Sequence, residues 1–108
     1  MKKYKVTVEL TKEYEIDIDE NKFTEEDIKN FESYMYKLDE EDDKYKSLAN
    51  DYCRLRAIGF DGFIEGYGYV LENGKVPFGV KDKDVEKGIN FKVIDDGESY
   101  PNINVEEI

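Results

Sequence analysis

The chain has 108 residues, of which 39% are hydrophobic and 40% charged, and its formal net charge is −11. This length predicts one domain covering residues 1–108. The acidity disfavours direct binding to nucleic acid or to an anionic membrane, because phosphate binding needs a basic surface, and it allows a basic protein as partner. The chain contains no histidine, which removes the usual acid–base group at neutral pH and the commonest zinc ligand.

The cysteine content and the hydropathy indicate the compartment. Cys53 is the single cysteine, so an internal disulfide is excluded and a reducing compartment is indicated. The N-terminal residues alternate in polarity, so we expect no signal peptide. No apolar stretch approaches the ~20 residues that span a membrane. The sequence therefore predicts a cytoplasmic protein with no membrane partner.

Polar and apolar residues alternate from residue 4 to residue 18, which predicts half-buried strand structure. Either one long strand covers this segment, or Thr11-Lys12-Glu13 turns a hairpin between two strands. We favour two strands, because a single strand over this whole range would be unusually long. The apolar positions are Tyr4, Val6, Val8 and Leu10, followed by Tyr14, Ile16 and Ile18.

Two helices are predicted next. Thr24 is suited to cap the first helix, with Asp27 completing a capping box and Phe23 and Ile28 at hydrophobic-staple positions. An acidic break at residues 39–43 starts the second helix. The short connection predicts two antiparallel neighbours, a helical hairpin. The first apolar stripe is Ile28, Phe31, Met35 and Leu38; the second is Tyr45, Leu48, Ala49, Tyr52, Leu55 and Ile58, followed by Gly59 as the residue after the cap.

Asn73-Gly74 is the clearest turn signal, because both positions of a type I′ turn need positive φ. It predicts a hairpin whose first strand covers residues 63–71, with Pro77 marking the second strand as an edge. Gly66 and Gly68 then share one face, where a helix can approach closely.

A further strand is predicted at residues 89–94, and Ile103 with Val105 is suited to a short edge strand. The predicted fold class is α+β, with an antiparallel sheet of four to six strands and an α-helical hairpin packed on one face.

Candidate metal and phosphate sites are weak. Asp17-x-Asp19-x-Asn21 resembles the opening of a calcium-binding loop, but the required glycine and the bidentate glutamate are replaced by Lys22 and Ile28. A strand end followed by a capped helix explains the segment better. Gly66-x-Gly68 lacks the third glycine of a phosphate loop and precedes a strand. We therefore expect no metal site and no cofactor.

Catalytic candidates are equally weak. Cys53 lies near Arg54 and Arg56, which favour a lowered thiol pKa, but with no histidine a buried apolar role is the better interpretation. Glu65 with Asp61 is a single carboxylate pair, and acid–base chemistry at neutral pH would require large pKa shifts. The sequence predicts no catalytic residue and no enzymatic activity.

The charge is segregated along the chain. Residues 1–12 carry +3, residues 13–51 carry −10 and residues 52–108 carry −4. Acids three or four residues apart on a helix resemble a row of phosphates; the alternative is a merely solvated polar face. The predicted partner-binding residues are Glu25, Glu26, Glu32, Asp39, Glu40, Glu41, Asp42 and Asp43.

Residues 24–80 resemble small proteins of phages and mobile elements. The resemblance is carried by the two predicted helices, by the Asn-Gly turn and by the segment Phe63-Ile64-Glu65-Gly66-Tyr67-Gly68-Tyr69-Val70. That group implies no chemistry. In size, acidity and lack of histidine the chain is also similar to anti-CRISPR proteins, several of which occupy the nucleic-acid groove of a CRISPR effector. The resemblance implies an inhibitor of a basic nucleic-acid-binding host protein such as a CRISPR nuclease. The alternative is a structural or assembly protein that forms a homodimer.

Overall fold

A computed structural model describes residues 1–38, 43–97 and 101–108. Within these ranges the chain forms two helices and five strands, which confirms the α+β class. In chain order the elements are β1 (Tyr4–Glu9), β2 (Glu13–Ile18), α1 (Glu25–Tyr34), α2 (Lys44–Ala57), β3 (Tyr69–Glu72), a short 3-10 helix (Asp82–Asp84), β4 (Val85–Asp95) and β5 (Asn102–Glu107). None of the described helices has the length and apolar character needed to cross a membrane.

The strands are divided between two sheets instead of the single predicted one. β1 pairs antiparallel with β5, and a second sheet has the order β2-β4-β3. The prediction of two strands between residues 4 and 18 is confirmed, but the hairpin between them is wrong, because β1 takes β5 as its partner. The chain divides into two compact units, residues 1–14 with 93–108 and residues 15–92, so a single domain over the whole chain stays a prediction.

The first unit contains a two-stranded ribbon formed by β1 and β5, called the ribbon below. Val6 lies opposite Val105 and Val8 opposite Ile103, while Lys5 lies opposite Glu106. Side chains on successive residues of a strand point to opposite faces, so the ribbon has a polar face and a mainly apolar face, on which Glu107 lies opposite Tyr4. The predicted short strand around Ile103 and Val105 is confirmed, and every residue of both strands is exposed.

The core of the second unit is built around Tyr52, which is completely buried. The Tyr52 ring meets the ring of Tyr67 with centroids 5.0 Å apart and that of Phe91 at 5.5 Å, both near-perpendicular. Aromatic pairs favour this edge-to-face arrangement because ring edges are positive and ring faces negative. The largest fully buried side chains are Tyr52, Phe91, Leu48, Ile89 and Val70.

Helix α1 starts as predicted and ends earlier. The Thr24 hydroxyl accepts from the Asp27 backbone N–H, and the Asp27 carboxylate accepts from the Thr24 N–H at 2.7 Å, so the capping box is formed. The helix ends at Tyr34, although the apolar stripe predicts that it continues to Leu38. After the helix, the Leu38 N–H donates to the Glu32 carboxylate at 2.9 Å. A side chain thus replaces the helical acceptor, and Leu38 is buried outside the helix.

Helix α2 also follows its local signals. The Asp43 carboxylate caps its start by accepting from the Tyr45 N–H at 2.9 Å. At its end the N–H of Phe60 donates to the Leu55 carbonyl at 3.1 Å, and Gly59, at φ 110°, takes the left-handed position. This is the glycine-terminated ending that the sequence predicts. Ile58, predicted to be inward-facing, is 62% exposed, because it lies past the last helical turn.

The helical hairpin stays a prediction, because the connection between the helices includes residues 39–42, which lie outside the described part of the chain.

The Asn73-Gly74 turn is confirmed, but the hairpin it predicts is not extended. Asn73 and Gly74 have φ of 53° and 76°, and Glu72 and Lys75 exchange backbone hydrogen bonds of 2.9 and 3.0 Å. Residues 76–80 form no strand. β3 instead pairs in parallel with β4, with a register shift between Val70 and Leu71.

Residues 63–68 form a turn and not the predicted strand, because Gly66 and Gly68 adopt positive φ of 91° and 71°. The close approach predicted at these glycines is nevertheless confirmed at Gly66. A Cβ added there would lie 2.8 Å from Cε2 of Phe31 and 2.9 Å from Cγ of Met35. Glycine is therefore needed at this position for two reasons, its backbone conformation and the space that α1 leaves.

Candidate protein-binding surfaces

The predicted partner-binding acids divide into three groups. Glu25 and Glu26 are exposed in the first turn of α1, where carboxylates are favoured by the helix dipole. Glu32 and Asp43 are engaged within the chain. The remaining four, Asp39, Glu40, Glu41 and Asp42, lie outside the described residues.

Glu32 acts as an internal structural acceptor. Its carboxylate accepts from the Leu38 N–H and also from Lys44 Nζ at 3.0 Å. The hydrogen bond from Leu38, followed by that from Lys44, lowers the pKa of the Glu32 carboxyl below its ordinary value. Asp43 also accepts a hydrogen bond within the chain, from the Tyr45 N–H at the start of α2, so both carboxylates have a structural role.

Three of the predicted acids are brought together. Glu25, Glu32 and Asp43 line a depression of about 310 Å³ beside α1 and the start of α2. Lys29 and Lys44 line the same depression, so its charge is mixed. Glu26, which does not line this depression, is exposed in the first turn of α1.

An aromatic groove that the sequence did not predict lies at the C-terminal ends of the two helices. Its volume is about 680 Å³. Phe63 is 63% exposed, Phe60 54% and Tyr36 42%. Interface centres are enriched in aromatic residues, methionine and arginine, and this groove has all three. Its lining is Met35, Tyr36, Arg54, Leu55, Phe60, Phe63, Ile64 and Glu65.

A neighbouring depression of about 470 Å³ continues this apolar surface. It shares Met35, Phe63 and Glu65 with the aromatic groove and adds Tyr34, which is 87% exposed. The sequence pattern predicts Phe63 on a sheet face, so its position on a turn is a correction. The helix ending at Gly59 was the sequence signal that could have indicated an exposed Phe60, because the residues directly after such an ending lie at the surface.

One wall of the aromatic groove is fixed by the Asp51 carboxylate. The hydroxyl groups of Tyr36 and Tyr67 both donate to it, the latter at 2.6 Å, and Arg54 donates at 3.1 Å. Burial, together with the Asp51 charge, raises the pKa of Tyr36 to about 12 and also raises the pKa of Tyr67. Both phenols are thus protonated at neutral pH and act as fixed hydrogen-bond donors.

The other sequence candidates have structural environments. Cys53 is half-buried, and burial raises the pKa of its thiol, which agrees with an apolar role. The Asp19 carboxylate accepts from the Asn21 N–H at 2.9 Å and so forms a turn. Glu65 lines the aromatic groove, and Asp61 is exposed. Across residues 1–38, 43–97 and 101–108, no three histidine, cysteine, aspartate or glutamate side chains are grouped to hold a metal ion.

No family model matches the sequence, and comparisons with curated proteins and with solved structures return no match.

Proposed function

We propose that the chain is a non-enzymatic binding protein that inhibits a basic nucleic-acid-binding protein by occupying its nucleic-acid groove. The observation that supports this most directly is the segregation of charge. Residues 13–51 carry −10, and Glu25 and Glu26 stand exposed at the start of α1 within that segment. A surface of this sign attracts the basic side chains that otherwise contact phosphates.

The proposed contact set omits Glu32 and Asp43 from the residues predicted from the sequence. Both already accept hydrogen bonds from their own chain, so in this proposal they contribute through the electrostatic field. Attraction between opposite surface charges speeds association and weakens as salt screens it. The proposed contacts are Glu25, Glu26, Asp39, Glu40, Glu41 and Asp42.

The partner is defined by its chemistry, a groove lined by lysine and arginine at the spacing of a phosphate backbone. The resemblance to anti-CRISPR proteins makes a CRISPR nuclease the first target to test. Competition is measured by the fluorescence anisotropy of labelled target DNA bound to the RNA-loaded nuclease, at about 50 and about 300 mM salt. We expect the chain to displace the DNA and to do so less well at the higher salt.

Charge-neutralised variants locate the surface. In Glu25→Gln/Glu26→Gln and in Glu40→Gln/Glu41→Gln, shape and helix propensity are retained while two charges are lost. Each is expected to weaken inhibition about tenfold, the effect of losing a few charge contacts. The matched control, Glu106→Gln/Glu107→Gln, removes the same charge from β5 and should inhibit like the parent chain.

The proposal fails if inhibition is insensitive to salt, or if the control variant loses as much inhibition as the two test variants. It also fails if the chain displaces nucleic acid from no member of a panel of basic DNA- and RNA-binding proteins.

A second candidate function, assembly through a homodimer, is favoured by a separate observation, the exposed apolar face of the ribbon.

A further inference from the structure

The ribbon has an apolar face that stays exposed within the described part of the chain. Its side chains Val6, Val8, Ile103 and Val105 are 54–58% exposed, and Tyr4 is 51% exposed. Two-stranded ribbons are at best marginally stable in water, and independent stability requires three or more strands with a hydrophobic face, or packing against a helix. The alternation of apolar and polar side chains in β1 and β5 is therefore typical of strands in a sheet with more than two strands.

The outer edge of β1 is suited to receive another strand. Among the described residues, the sheet that contains β1 has β5 as its other strand and no third. The Lys3 carbonyl accepts from the Ile108 N–H at 2.9 Å. In an antiparallel pair such bonds alternate along the strand, so the N–H and C=O groups of Tyr4, Val6 and Val8 point outward from the ribbon. An open edge of this kind is a template for pairing.

The ribbon also differs from the rest of the chain in charge. Residues 1–10 and 101–108 contain three lysines and three glutamates and are neutral together, so the whole net charge of −11 is carried elsewhere. Two copies of an acidic protein approach one another with least repulsion through such a surface. A basic partner gains no electrostatic attraction from this neutral surface. The charge distribution thus favours a second copy of this chain as the occupant.

We infer that β1 pairs antiparallel with β1 of a second copy, about a two-fold axis at Val6, to form a four-stranded sheet in the order β5-β1-β1-β5. In this register Lys3 of each copy lies opposite Glu9 of the other, and Tyr4 lies opposite Val8. A two-fold axis perpendicular to the sheet keeps both apolar faces on the same side. The pairing uses the outward-pointing backbone groups and adds two cross-strand ion pairs.

Neighbouring registers are less favourable. An axis at Lys5 places the two Lys5 side chains opposite one another, which is repulsive. An axis at Thr7 places Lys5 opposite Glu9, but Lys5 already lies opposite Glu106 within its own ribbon. The β5 edge offers no comparable pairing, because its charged residues, Glu106 and Glu107, are both acidic.

This inference is independent of the proposed inhibitor function, since it uses the neutral ribbon and not the acidic segment. Sedimentation velocity from about 10 μM to about 1 mM protein covers the range in which small interfaces associate. We expect a concentration-dependent monomer–dimer equilibrium. A monomer at every concentration would overturn the inference.

Charge exchange tests the register. Lys3→Glu and Glu9→Lys should each weaken self-association about tenfold, because both ion pairs become repulsive. An equimolar mixture of the two variants should associate as well as the parent chain, since both cross-strand pairs of the mixed dimer again join a lysine to a glutamate. The variants alter exposed side chains, and far-UV circular dichroism verifies that each is folded.

Glu15→Lys is the matched control, because it makes the same charge change on β2, at another exposed strand position. It lowers the magnitude of the net charge and should leave dimerisation unchanged or slightly tighter. If Glu9→Lys associates as well as Glu15→Lys, or if the mixture remains monomeric, the proposed strand pairing is wrong.

Discussion

At the scale of single residues, Asp51 joins the core to the aromatic groove. Tyr67 is 5% exposed, and its hydroxyl donates to the Asp51 carboxylate at 2.6 Å and lies 3.5 Å from the helix carbonyl of Leu48. A buried hydroxyl without a partner costs the free energy of its desolvation. The carboxylate at position 51 thus allows a tyrosine to fill the space between α1 and α2 and still satisfy its polar end.

Replacing Tyr67 by phenylalanine should lower the free energy of unfolding by about 1–2 kcal/mol at pH 7, because a hydrogen bond to a charged acceptor is lost. The pKa of Tyr67 is raised in the folded state. Its contribution is therefore complete below the unfolded pKa, near 10, and declines as pH rises above it. Urea unfolding at neutral pH and at about pH 10.5 should show the gap between parent and variant narrowing.

Tyr34→Phe provides the control, because Tyr34 is 87% exposed; its effect should stay within about 0.5 kcal/mol at both pH values. A gap between Tyr67→Phe and the parent that widens at alkaline pH would contradict the assigned hydrogen bond.

At the scale of elements, Arg56 connects the end of α2 to the sheet. Its guanidinium lies 4.3 Å from the centroid of the Phe91 ring, donates to Glu72 at 2.8 Å and reaches the Tyr52 hydroxyl at 3.4 Å. A planar, delocalised cation is able to stack on a ring and donate in its own plane at once. One side chain thereby holds the helix to both β3 and β4.

Arg56→Lys keeps the charge and removes the planar group, so it should cost about 1 kcal/mol through loss of stacking and of one hydrogen bond. Arg54→Lys is the control on the same helix, since its side chain is 57% exposed and pairs with Asp51 near the surface; exposed pairs contribute about 0–1 kcal/mol. Urea unfolding of both variants at one pH measures the difference. Equal losses would show that stacking on Phe91 adds nothing.

Local signals predicted the elements well where a few neighbouring residues decide the geometry. The Thr24 cap, the Gly59 ending and the Asn73-Gly74 turn each depend on contacts within about six residues, the reach of cap and turn motifs, and all three are confirmed. Strand pairing depends on distant residues. Alternation assigns a face to each residue of a strand but does not identify the neighbouring strand, so β1 with β5 and the parallel β3–β4 pair were missed.

The candidate surfaces also divide into features that single residues determine and features that depend on the folded chain. The acidic segment is visible in the sequence because charge is a property of each residue. The interior acceptor role of Glu32 depends on where the chain runs after α1, and the aromatic groove depends on Phe60 and Phe63 leaving the helix and strand pattern. Neither the role of Glu32 nor the groove could be predicted from hydrophobic periodicity, because turns have no periodic pattern.

At the scale of the whole molecule, burial and charge are distributed unevenly. Tyr52 and Ile89 are completely buried in the unit of residues 15–92, while every residue of β1 and β5 is exposed. Local stability follows the number of buried apolar contacts. The acidic field and the packed core thus belong to one unit, and the neutral, weakly protected strands to the other.

Amide hydrogen exchange should therefore be strongly graded along the chain. At about 10 μM protein, where a small interface is mostly dissociated, the outward-pointing amides of Val6 and Val8 should exchange close to the rate of an unstructured peptide. Amides of α2 around Tyr52 should open with nearly the full free energy of global unfolding, because their exposure requires loss of the core. Mass spectrometry of peptides from residues 1–12 and 44–57 measures the two rates. Protection of residues 1–12 equal to that of α2 at this concentration would contradict the graded stability, because the strands of the ribbon have no buried side chains to provide it.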